Sequence, residues 1–118
     1  MKTLTLLLFV FTSTLFYSQE KVTLENIAPY EGKTVTLCET VTGTYQTKSE
    51  SKVTYINFGK PFPDHAFTVV VFKNVLNEFR YDPLTLKNKK ICVTGKVIFY
   101  KGKPQIVIKN ESQIEVQQ

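Results

Sequence analysis

The stretch "ICVTGKVIFYKGKPQIVI", residues 91–108, decides the fold. Ile91, Val93, Val97 and Phe99 share one face, with Gly95 between them, which is the two-residue period of a strand. Lys101-Gly102-Lys103-Pro104 interrupts the run, and Gln105 opens a second apolar run that ends at Lys109. Gly and Pro at such a break shape a turn. The stretch therefore reads as two strands joined by a basic turn. The tripeptide recurs at Gly59-Lys60-Pro61, where it closes another apolar run. The two turns are either punctuation or a grip on something negatively charged.

Three more strands precede this pair. Val35, Leu37 and Val41 alternate with threonines from Lys33 onward, and Gly43 bends or bulges that strand. After the polar loop Gln46–Lys52, a second strand covers Val53–Phe58, with Ile56 and Phe58 on one face and Tyr55 and Asn57 on the other. The third, Phe67–Phe72, is apolar on both faces, which calls for cover on both sides or an exposed ligand face. Val75, Leu76 and Phe79 then fit one or two turns of helix, which Asp82-Pro83 stops. Thr23–Ala28 reads as a short helical turn before the first strand, and Ile114 and Val116 as an extension of the fifth strand. Three strands, a short helix and two strands make an all-β chain. Five strands fit a closed or partly closed Greek-key barrel better than a sandwich, which needs about seven.

Residues 1–18 have the order of a secretory signal: Lys2, an apolar core from Leu4 to Phe16, then Ser18 as the small residue before a cut. The core is shorter than the ~20 residues that span a bilayer. The expectation is an exported protein, periplasmic or secreted, with one domain at residues 19–118 and no membrane span after cleavage. Without Lys2 the formal charge is about +4, a mild excess compatible with a polyanion but not requiring one.

The strings "NFGKPFPDHAFTVVVF" and "ICVTGKVIFYKGKPQIVIKNESQI" resemble the small OB-fold (oligonucleotide/oligosaccharide-binding) domains of exported bacterial proteins. Such domains occur alone or beside thermonuclease-like nuclease domains. The resemblance spans Gly32 to about Val116 and rests on Gly32-Lys33, Asn57-Phe58-Gly59 with Pro63, Phe67-Thr68, Val93-Thr94-Gly95-Lys96 and the turn from Gly102 to Ile106. It implies a five-stranded Greek-key OB barrel with its helix between the third and fourth strands.

An OB barrel binds on the outer face of its second and third strands. That face carries Tyr55 and Phe72 if Ile56, Phe58, Phe67, Val69 and Val71 point inward. Lys48 and Lys52 sit in the loop after the first strand, Lys60 after the second, and Lys101 and Lys103 after the fourth. In the barrel the second and fourth strands run the same way, so both Gly-Lys-Pro turns should emerge at one end. The seven residues form a candidate site for single-stranded nucleic acid with little sequence preference. The alternative is a periplasmic or envelope module for a protein or small anionic ligand. Cys38 and Cys92, on the first and fourth strands, both face outward. They form a bridge if directly opposed, or two free thiols if out of register.

No catalytic site, metal site or cofactor is expected. Two cysteines exclude a zinc site of the usual spacing. The one histidine, His65, has only Asp64 beside it.

Overall fold

The computed structural model describes residues 20–118. The signal segment expected at residues 1–18, with its cut, lies outside them. Seven strands follow in order: β1 (Glu20–Val22), β2 (Thr34–Gln46), β3 (Thr54–Gly59), β4 (His65–Val71), β5 (Lys90–Tyr100), β6 (Lys103–Ile108) and β7 (Ile114–Val116). One helical turn, α1 (Lys73–Leu76), follows β4.

Five of these strands close a barrel. β2 pairs with β3, β3 with β4, β4 with β6 in parallel, and β6 with β5. β5 then returns to β2, so no edge of the barrel is left open. Inward residues follow the expected alternation. Leu37, Ile56, Phe58, Phe67, Val69, Ile91, Val97 and Ile106 are wholly buried. The Phe58 and Phe67 rings meet tilted, 5.5 Å apart between centroids.

The seam between β2 and β5 carries a covalent link. Cys38 and Cys92 are directly opposed in register and form a disulfide. Both alternate with wholly buried neighbours, Leu37 on one strand and Ile91 and Val93 on the other. Both cysteines thus face outward as expected from the sequence, and of the two outcomes left open there the bridge is the one formed.

Gly95 lies on the inner face of β5, opposite Val35. A Cβ there would stand 2.5 Å from Ile106 Cγ2 and 3.2 Å from the Gln113 side-chain nitrogen. Only a residue without a side chain lets β6 pack this close. Gly95→Ala is expected to cost about 1–3 kcal/mol through overpacking, measured by denaturant unfolding.

Three local expectations change, and one strand is new. Ile114 and Val116 do not extend β6. Asn110 caps a 3-10 turn at Glu111–Gln113, with its side chain accepting from Ser112 N, and Gln113 Oε1 accepts from Asn110 N. This capping box reverses the chain, and β7 pairs antiparallel with β5. α1 ends at Leu76, capped by Asn77 and well short of Asp82-Pro83, which starts a new turn instead of stopping the helix. Asp82 Oδ1 accepts from Leu84 N and opens a 3-10 turn, Pro83–Leu86, which packs Leu86 into the core against β2 and β3. Near the start, the helical turn lies at Ala28–Tyr30, later than expected. Glu20–Val22 instead forms β1, parallel to β2.

Candidate functional site

β2 carries an irregularity between Val41 and Gly43: Val41 opposes Phe58, yet Gly43 opposes Asn57. Thr42 is the extra residue, and its hydroxyl donates to the Asn57 carbonyl at 3.0 Å. After it the faces of the strand exchange. Thr44 now shares a face with Ile56, while Tyr45 turns outward beside Tyr55. The two rings stack, 6.4 Å apart and 18° from parallel.

This outward face forms the floor of a groove of about 890 Å³. One cross-strand row is Tyr45–Tyr55–Val70–Val107, and the next is Gly43–Asn57–Thr68–Gln105. Nothing stands within 4 Å of where a Gly43 side chain would begin, so the floor is open there. The loop between β3 and β4 walls one end with Pro61, Phe62 and Pro63, and the β5–β6 turn adds Tyr100, Lys101 and Lys103. Lys87 also lines the groove.

Three aromatic rings around it are more than half exposed: Tyr45 at 55%, Phe62 at 76% and Tyr100 at 57%. Phe62 stacks on His65, 5.5 Å between centroids. The Lys101 ammonium lies 5.5 Å from the centre of the Tyr100 ring, within cation–π range. Such a surface offers flat platforms for planar rings and cations for anionic groups.

The two Gly-Lys-Pro turns do meet at one end. The Lys103 ammonium donates to the Pro63 carbonyl, tying the β5–β6 turn to the β3–β4 loop. Their geometries differ, however. Lys101 and Gly102 both have positive φ, 50° and 78°, between the paired residues Tyr100 and Lys103. That is the two-residue hairpin turn whose twist matches the strands. Gly59 instead ends β3 at φ 93°, where a Cβ would press on Ala66.

Of the residues expected from the sequence, the groove gathers Tyr55, Lys101 and Lys103. Lys60 lies on the far side of its loop, in a shallower hollow with Leu24, Glu25 and Asp64 that Lys103 also borders. Lys48 and Lys52 sit in the β2–β3 loop and do not line the groove. Phe72 is half exposed at the start of α1, beyond the last residue of β4, and does not line it either. Tyr45, Phe62, Tyr100 and Lys87 are additions. Tyr100 could have been found from the sequence, since it adjoins the Lys101 turn.

His65 also lines the groove, with its Nδ1 buried and unpartnered among the described residues. Burial lowers its pKa, the Lys103 charge lowers it further, and Asp64 opposes both. The imidazole thus charges at lower pH than an ordinary histidine.

Comparison with solved structures places this barrel. A chain from the crystal structure of yeast Stn1 and Ten1 superposes with a TM-score of 0.61 at 13% identity, covering 91% of this chain and 67% of that one. The fold is an OB barrel. A protein assigned provisionally as an aspartyl-tRNA synthetase from Leishmania major Friedlin superposes at 0.55 and 11% identity, over 88% of this chain. The OB barrel here spans only 22% of that protein. No family model and no curated protein matches the chain by sequence. Among the described residues, no helix is long and apolar enough to cross a membrane.

Proposed function

We propose that this OB barrel is a binding module for single-stranded nucleic acid, with little preference among most positions of the strand. One observation carries the reading. The groove on the outer face of β2, β3 and β4 combines exposed Tyr45, Phe62 and Tyr100 and half-buried Tyr55 with Lys87, Lys101 and Lys103. Bases of any kind stack on such rings, while lysines follow the phosphates. The strand order supports a Greek-key path, with α1 standing between the third and fourth barrel strands. Lys60, Lys48, Lys52 and Phe72 are kept as outer contacts for a strand that runs past either end of the groove.

The module acts by binding and carries no catalytic role in this reading. It works after export, as the signal-like residues 1–18 imply, and the Cys38–Cys92 disulfide is compatible with an oxidising compartment.

Fluorescence anisotropy with a labelled 15-nucleotide strand tests the proposal. Three phosphate contacts predict a roughly twentyfold loss of affinity between 50 and 200 mM salt. Lys87→Gln, Lys101→Gln and Lys103→Gln together should flatten that dependence. Absence of binding at low salt would overturn the reading and favour a module for protein or small anionic ligands.

A further inference from the structure

Asn57 sits in the middle of the groove floor, 6% exposed, between Gly43 and Thr68. Thr68, 3% exposed, donates its hydroxyl to Asn57 Oδ1 at 2.8 Å. A buried hydroxyl needs an acceptor, and this carboxamide oxygen is the one Thr68 uses. The bond therefore fixes the orientation of the amide. Asn57 Nδ2 is left with no partner among the described residues, on a side chain that lines the groove.

We propose that Asn57 reads one base of the bound strand, accepting bases with a carbonyl edge over adenine. This rests on the nucleic-acid reading above. Asparagine recognises adenine by using both amide atoms at once, nitrogen to N7 and oxygen from the exocyclic amine. Here the oxygen is engaged by Thr68, so the groove meets only the donor half. Thymine, uracil and guanine offer carbonyl acceptors to such a donor, whereas adenine keeps only a ring-nitrogen acceptor and loses the second bond, because its amine finds the oxygen already taken. The vacancy above Gly43 leaves room for a base to descend to this depth. Gln105, next in the row, has no side-chain hydrogen bond among the described residues that would fix its amide, so it adds contact without selecting.

The test compares dT15 with dA15 by anisotropy at one low salt concentration. The wild type should bind dT15 about tenfold more tightly. Some preference could arise because dA15 stacks on itself, so the variants decide. Asn57→Leu should reduce the ratio several-fold. Thr68→Val keeps the shape, frees the oxygen and should raise affinity for dA15, which a merely structural role would not do. In the wild type, dT15 should shift the Asn57 side-chain amide resonance in an NMR titration more than dA15 does, a readout that needs no variant. An unchanged ratio in Asn57→Leu, no gain for dA15 in Thr68→Val, or equal resonance shifts would overturn the base-reading role while leaving strand binding intact. Failure of both strands to bind the wild type would overturn both.

Discussion

Replacing Cys38 and Cys92 together by alanine should lower stability by about 4 kcal/mol, the loop-closure value for a crosslink spanning 54 residues. For a domain of this size that is a fall in Tm on the order of 15–30 °C. The reason lies in the topology. The bond joins β2 to β5, the last pairing needed to close the barrel and one between strands distant in sequence. Without it, the unfolded chain regains its full freedom, and closure depends on hydrogen bonds and the buried inner rows alone. Calorimetry of wild type and double variant measures the difference, and wild type under reductant should match the variant. A loss below 1 kcal/mol would show that the seam closes without covalent help. Groove residues lie on the opposite flank of β2, so the folded variant should keep its affinity for a strand.

The second large effect concerns the stacked tyrosines. Tyr45→Ala with Tyr55→Ala removes both rings from the floor of the groove. Stacking contributes roughly 1–3 kcal/mol per base. Losing two platforms should weaken strand binding on the order of a hundredfold at fixed salt. The salt dependence should stay as in the wild type, because no lysine has changed. The paired Phe replacements should retain most of the affinity, since the rings remain. A double alanine variant that binds within threefold of wild type would place the strand elsewhere on the barrel.

Much of the barrel was legible from the chain. Strict alternation in "TYINFG" and "ICVTGKV" identified inward residues on β3 and β5, and those residues are wholly buried. The parity of Cys38 and Cys92 set both outward. Their direct opposition could not be read, because register between strands far apart depends on how the barrel closes. The site was less legible. From Val41, unbroken alternation puts Tyr45 inside, and only the extra residue Thr42 turns it out. A possible bulge was marked by Gly43, but its effect on phase was not. Phe62 was hidden in a turn-rich segment where periodicity says nothing. Lys60 and Lys103 look equivalent in their shared tripeptide, yet one turn is a hairpin and the other ends a strand, so Lys103 reaches both the groove and the neighbouring hollow while Lys60 reaches the hollow alone.

Thr42 therefore behaves as an insertion that the ladder passes over. Removing it would leave Val41–Phe58, Gly43–Asn57 and Tyr45–Tyr55 paired in unbroken alternation, with the tyrosines still outward. Taking it into the ladder would instead slip everything from Gly43 to Gln46 by one, sending Tyr45 to the interior and Thr44 and Gln46 toward the ligand. The aromatic content of the groove is thus encoded by which residue the strand leaves unpaired as much as by its letters. Two chains of identical composition, one bulged here and one regular, would share a barrel and present unlike faces.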